Sequence, residues 1–186
     1  MAALRYLLPL LFGIFVLTHA AASGVNGANP DVGKARDVSG SSGSELTGGW
    51  HFVRTRNPYG GVDAISIMHT ADTSKSDLDL AGLMIRCNEG RTEVAIVLLR
   101  PFPLRARPQV VFGNPGNEVR IEATIAPPGT AVLIPKDAIS LVDGPWRALN
   151  NLFIRVEEGQ STIRGVVALA GLQSAIKILV ASCPKQ

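Results

Sequence analysis

The chain has only two cysteines: Cys87 ends a strand-like apolar run, and Cys183 ends a helix-like run. They follow an apolar N-terminal segment that is typical of an export signal, and exported proteins enter compartments in which disulfides form. The pair lacks the CxxC spacing, and it does not make a zinc set with His51 and His69, the two histidines beyond the signal. We therefore predict one structural disulfide that joins these two elements.

The N-terminal segment has the composition of a secretory signal peptide. Arg5 is its only charge, an apolar run covers residues 7–17, and small residues at 20–22 provide a cleavage site. The run is shorter than the roughly 20 apolar residues that span a bilayer. We predict a signal peptide at residues 1–22, a periplasmic or secreted protein, and no stable membrane span after cleavage. An uncleaved N-terminal anchor is the alternative.

The segment that follows the signal is rich in glycine and serine and almost lacks large apolar side chains. Such a segment buries too little apolar surface to offset the entropy of ordering it. The composition changes at Trp50. We therefore predict a flexible linker at residues 23–49 and a single domain at residues 50–186.

Short apolar runs separated by turn residues fill the chain from Trp50 onward, a pattern typical of antiparallel strands. In residues 119–125 the odd positions are apolar and the even positions are polar, so one face of this strand packs and the other meets water. The predicted strands cover residues 50–54, 63–70, 80–87, 92–99, 109–112, 118–125, 130–134, 152–157 and 162–169.

Two stretches have a helical pattern instead. Asp137 is a candidate N-cap, but Gly144 and Pro145 interrupt the segment behind it, which predicts two short helical pieces in residues 137–150. Residues 171–183 carry one apolar stripe at helical spacing, and Pro184 ends it. The whole pattern predicts a mainly β fold: an antiparallel β-sandwich-like domain with a C-terminal α-helix packed on the sheet and one disulfide.

The sequence shows no motif for nucleophilic catalysis. His51 and His69 lie in strand-like runs, and no serine occupies a GxSxG elbow. A cell-wall hydrolase would need two converging carboxylates, and the spacing brings no two of the candidates together. We assign no catalytic residue and predict a protein that is not an enzyme. The candidate acids are Asp77, Asp79, Glu89, Glu93, Glu157 and Glu158.

Metal, cofactor and nucleic-acid binding receive little support from the sequence. Asp72, Asp77 and Asp79 form an oxygen-rich stretch, but it lacks the turn glycine and closing glutamate of a calcium loop. We interpret it as a polar connection and assign no metal site or cofactor. The formal net charge of +3 is too small to indicate a nucleic-acid partner.

The most unusual local feature is the segment RPFPLRARP at residues 100–108, here named the Arg/Pro loop. Proline lacks the backbone donor of a central strand, so this loop lies outside the sheets. Arg100, Arg105 and Arg107 are candidate contacts for an acidic partner. The alternative is an edge loop that its charges keep soluble. Trp146, in the Gly144-Pro145 break, is a further candidate for an exposed contact.

Several motifs together carry a family resemblance. Trp50, Asn57-Pro58 and Asp63 precede LMIRC at residues 83–87 and RTEV at residues 91–94, and the chain closes with GLxxAIxxLxxxC at residues 171–183. On these residues and on residues 130–135, the chain resembles the VasI/TagO family of proteins associated with type VI secretion. The resemblance covers residues 50–183. It implies a periplasmic or envelope accessory protein, predominantly β, with no catalytic residues to transfer.

The sequence therefore favours an exported, non-catalytic accessory protein that binds an envelope or secretion-system protein. A sheet edge or the Arg/Pro loop is the expected contact surface. A glycan- or lipid-binding envelope module is the alternative, and a cell-wall hydrolase is a weaker one.

Overall fold

The computed structural model describes residues 41–113 and 116–184. The predicted signal peptide and residues 23–40 of the predicted linker lie outside the described residues. Among the helices within those ranges, none has the length and apolar content needed to cross a bilayer.

Strands dominate the described residues. Their order and bounds are β1 (Ser41–Glu45), β2 (His51–Thr55), β3 (Ala64–Thr70), β4 (Leu80–Asn88), β5 (Arg91–Leu98), β6 (Gln109–Phe112), β7 (Val119–Glu122), β8 (Thr124–Ala126), β9 (Ala131–Asp137), α1 (Ala138–Asp143), β10 (Asn151–Glu158), β11 (Ser161–Ala168) and α2 (Leu172–Ser182). A single 3-10 turn, Thr47–Gly49, links β1 to β2.

The strands form two antiparallel sheets. One has seven strands in the order β1-β2-β3-β4-β5-β9-β8, and the other has four in the order β11-β10-β6-β7. Neighbouring strands are mostly joined by short turns, which suits antiparallel pairing. The predicted fold class, a β-sandwich-like domain with a C-terminal helix, is confirmed.

One apolar core joins the sheets and the helices. In its centre, Ile85 of β4 pairs with Val94 of β5, and both side chains are fully buried. The predicted stripe of α2 also faces the core, where Leu172, Ala175, Ile176 and Leu179 are buried. Burying each large aliphatic side chain contributes about 1.5 to 3 kcal/mol. The positions of the apolar residues in each strand and helix therefore favour this fold.

The predicted disulfide is confirmed and holds the C-terminal end of α2. Cys87 lies in β4, Cys183 caps the helix, and their Cα atoms are 5.7 Å apart. The bridge therefore ties the last turn of the helix to the end of β4, the middle strand of the seven-stranded sheet.

The N-terminal end of α2 is held by a different set of contacts. The indole Nε1 of Trp50 donates a hydrogen bond to the carbonyl of Ala170 at 3.1 Å. Gly48 and Gly171 approach so closely that a Cβ on Gly48 would overlap the Ala170 carbonyl, and a Cβ on Gly171 would overlap that of Thr47. Both glycines also have φ of 77°, a value that L side chains rarely adopt. The turn before β2 therefore packs on the turn before α2.

The ordered domain begins earlier than the sequence predicts. β1 lies inside the predicted linker and pairs with β2 from Ser41↔Thr55 to Glu45↔His51. All five of its side chains are exposed. Because backbone hydrogen bonds alone hold this edge strand, its Gly/Ser composition carries no apolar pattern that could reveal it. Within the described residues, the seven-stranded sheet therefore includes Ser41–Glu45 of the predicted linker.

The predicted strand at residues 118–125 is two strands. β7 pairs with β6 in the four-stranded sheet, whereas β8 pairs with β9 in the seven-stranded sheet. The crossing point is Ala123, which is fully buried and donates its backbone N–H to Pro108 at 2.9 Å. Alternation specifies which side chains face inward, but it does not specify which sheet the strand joins.

Only one of the two predicted helical pieces in residues 137–150 is a helix. Asp137 caps α1 as predicted, because its carboxylate accepts the backbone N–H of Ser140 at 3.3 Å. Turns follow at residues 144–148. Pro145 has no N–H to donate there, and Trp146 instead bonds back to the carbonyl of Leu141 at 2.9 Å.

Candidate functional site

The backbone of the Arg/Pro loop is fixed at several points. Phe102 donates its N–H to Gly129, Ala106 donates to Pro103, and the carbonyl of Pro108 accepts from Ala123, each at 2.9 Å. Within the loop, Ala106 and Pro108 are buried. The loop is therefore a preformed surface, as its prolines predict.

The three arginines of this loop have different surroundings. Arg100 forms an ion pair with Asp79, so its charge is already compensated. Arg105 and Arg107 are exposed, and neither has a carboxylate partner among the described residues. Leu104, between them and Arg100, is 51% exposed. The loop thus presents two free positive charges and an apolar side chain together.

Trp146 does not lie where the sequence-based interpretation placed it. Its side chain is 3% exposed and packs edge-on against Phe112, with ring centroids 5.3 Å apart. The turn after α1 folds inward because this large ring fills the open end of the sandwich, so Trp146 does not form an exposed partner-binding contact.

Trp146 instead forms one wall of a cavity of about 190 Å³. The cavity lies between the turns after α1 and the β6, β7 and β10 part of the four-stranded sheet. Its walls include Phe112, Val119, Leu141 and Leu149. No local motif marks this cavity in the sequence, because its walls come from two separate stretches, residues 112–121 and 141–153.

The two histidines have different surroundings. His51 is exposed on β2, and a ring nitrogen of His69 lies 2.9 Å from the carbonyl of Gly48. The ring of His69 also packs edge-on against Trp50, with centroids 5.3 Å apart. The contacts of His69 are those of a side chain that holds two turns together.

The three aspartates before β4 have separate partners rather than a common centre. Hydrogen bonds from Ser74 and Lys75, together with the Lys75 charge, lower the pKa of Asp72 to about 2. Asp77 accepts the backbone N–H of Arg164 at 2.7 Å, and Asp79 pairs with Arg100. Within residues 41–113 and 116–184, no three acidic, histidine or cysteine side chains converge as a metal site requires.

A network of alternating charges covers part of the four-stranded sheet. Arg155 contacts Glu118 at 3.2 Å and Glu157 at 2.6 Å, and Arg120 contacts Glu157 at 3.3 Å. Hydrogen bonds from the guanidinium to Glu118 and then to Glu157 raise the pKa of Arg155. Glu157, a candidate acid in the sequence, is therefore occupied by structural ion pairs.

Glu93, another candidate acid, accepts hydrogen bonds from Arg86 at 2.9 Å and Asn88 at 2.6 Å. Burial alone would raise its pKa, but the hydrogen bonds from Asn88 and Arg86 and the Arg86 charge together lower it from 4.5. Glu93 is thus held ionised as an acceptor within the sheet, which does not suit a proton donor.

Glu93→Gln should lower the free energy of unfolding at pH 7 by about 1 kcal/mol, since a hydrogen-bonded charge is lost at a partly exposed site. The folded-state pKa lies below 4.5, so the wild-type contribution is present above pH 4.5 and is lost as the pH falls through the lowered pKa. Urea unfolding between pH 3 and pH 7 measures this difference. Glu122→Gln, at an exposed position of β7, should have little effect; equal losses in the two variants would contradict the assignment.

The comparisons with known proteins identify no family. No protein-family model matches the chain, and no curated protein matches it. Among solved structures, the chain is similar to the crystal structure of invasion associated protein B from Bartonella henselae. The identity is 19% and the TM-score is 0.48, over 74% of this chain and 94% of that chain. The resemblance to the VasI/TagO family therefore stays an expectation from sequence motifs.

Proposed function

We propose that this chain is an exported, non-catalytic domain that binds a protein partner in the cell envelope. Export is supported by the Cys87–Cys183 disulfide, since structural disulfides persist in oxidising compartments and are rare in the cytosol. The absence of catalysis is part of the proposal, and it is supported by the structural partners that occupy Glu93, Glu157 and His69.

The Arg/Pro loop is the observation that carries the proposed partner binding. Its backbone is ordered before any partner arrives, so less conformational entropy is lost on binding. Among the described residues, Arg105 and Arg107 have no carboxylate partner, and Leu104 adds apolar area at the same place. Arginine beside apolar side chains is typical of protein interfaces, and it favours a partner with an acidic rim around an apolar centre.

Arg105→Ala with Arg107→Ala should reduce partner binding at least tenfold, because two charge-assisted contacts are removed together. The measurement is crosslinked capture from an envelope fraction, followed by titration with the purified partner. Arg56→Ala with Arg147→Ala removes the same charge from two other exposed positions and should bind as the wild type does. Raising the salt concentration should weaken the wild type more than the loop variant.

Equal binding by the loop variant and the wild type would contradict the assignment of the loop.

Association with type VI secretion is the narrower part of the proposal and rests on the VasI/TagO resemblance. Capture of a component of that machine through the loop would support it, whereas capture of an unrelated envelope protein would support only the broader part.

A further inference from the structure

The cavity beside Trp146 has features of a ligand site that the proposed partner binding does not use. It is lined by residues of β6, β7 and β10 and opens to solvent at Val119, which is 45% exposed. The Arg/Pro loop contributes no residue to its walls. It can therefore be considered separately from that loop.

The walls of the cavity select an uncharged ligand. None of the described residues that line it carries a charged side chain. Its polar side chains are those of Asn117 and Asn151, both of which are exposed. A charged group would lose its hydration there without gaining an ionic partner, which is strongly unfavourable. An uncharged group with one hydrogen-bonding substituent near the two amides would not suffer this loss.

The size and the wall chemistry favour an aromatic ring. An apolar cavity of about 150 Å³ is large enough to hold benzene, and this one measures about 190 Å³. Phe112 and Trp146 already pack edge-to-face at 68°, and both line the cavity. Aromatic groups gain from such offset and edge contacts beyond the area that they bury.

We propose that this cavity binds one uncharged aromatic ring that carries at most one hydrogen-bonding substituent. Phe112 and Trp146 form the apolar walls, and Asn117 and Asn151 lie within reach of the substituent at the opening. The ring enters beside Val119. The site shares no residue with the Arg/Pro loop, so a test of this proposal does not depend on what the loop binds.

Binding can be tested on the purified chain with 4-fluorotoluene, followed by ¹⁹F NMR. We expect saturable binding that unlabelled toluene displaces. 4-Fluorobenzoate, which adds a negative charge to the same ring, should bind at least tenfold more weakly. Octan-1-ol tests an uncharged alkyl chain, and it should not displace 4-fluorotoluene. Displacement by octan-1-ol at lower concentration than toluene would overturn the aromatic assignment.

Two variants that narrow the cavity test whether 4-fluorotoluene binds inside it. Val119→Phe and Leu149→Phe add volume from opposite walls, and each should weaken 4-fluorotoluene binding at least tenfold. Ile178→Phe makes a similar change at an exposed position of α2 outside the cavity, and it should change binding less than twofold. Thermal unfolding checks that each variant is folded. Unsaturable binding to the wild type, or wild-type binding by a folded narrowed variant, would overturn the proposal.

Discussion

Reduction of the Cys87–Cys183 disulfide is expected to lower the free energy of unfolding by about 4 to 5 kcal/mol. The two residues are separated by 96 positions, so the bridge removes much of the conformational freedom of the unfolded chain. A domain of this size is stabilised by about 5 to 15 kcal/mol in total, so the reduced protein should be marginally stable. Guanidinium unfolding with and without reductant measures the change.

A double variant, Cys87→Ser with Cys183→Ser, provides the control. It should show a loss similar to that of the reduced wild type, and reductant should not change it further. A loss below about 1 kcal/mol in both would contradict a stabilising role, because the chain-entropy argument gives several times that value for a loop of this length.

Trp50→Ala is expected to lower the free energy of unfolding by about 3 to 5 kcal/mol, the usual cost of removing a buried aromatic ring. Trp50 is fully buried in the core, where it contacts His69 and hydrogen-bonds to Ala170. Its loss would leave a cavity and would release the turn before α2. Chemical unfolding followed by circular dichroism measures the change without depending on tryptophan fluorescence.

Trp50→Phe separates packing from hydrogen bonding at this position. It keeps an apolar ring but has no N–H for the Ala170 carbonyl, so the expected loss is about 1 to 2 kcal/mol. Equal losses for the two substitutions would mean that the hydrogen bond dominates. Losses near zero for both would contradict the structural role of this residue.

Most of the fold could be predicted from the sequence because its sheets and helix bury one side of each element. The short apolar runs at residues 80–87 and 92–99 predicted β4 and β5, and the stripe of residues 171–183 predicted α2. Apolar residues at a fixed period are a local signal, so they can be recognised in the sequence without knowing which element packs against them. The disulfide could be predicted because the chain has only two cysteines.

Features that depend on pairing could not be predicted in this way. β1 has exposed side chains at every position and is held by backbone bonds to β2, so nothing in its composition distinguishes it from a linker. The change of sheet at Ala123 also left the alternation undisturbed. Register and sheet membership are properties of two strands together, and one strand's sequence specifies them only weakly.

The candidate site was predicted in part. Three arginines among prolines indicated a loop outside the sheets. They did not indicate that Asp79 compensates Arg100, whereas Arg105 and Arg107 have no carboxylate partner among the described residues. Trp146 was selected for its position beside Gly144 and Pro145, which indicates a turn but not whether the ring points inward. The cavity needed the three-dimensional arrangement, since residues distant in the sequence form its walls.

The contacts at the two ends of α2 also constrain how the domain opens. A terminal helix is ordinarily the first element to undergo local unfolding, since few contacts hold it. Here the glycine contact and Trp50 hold one end, and the disulfide holds the other. We therefore expect hydrogen exchange in this helix to be coupled to opening of the sheet while the disulfide is formed, and reduction to release only the Cys183 end.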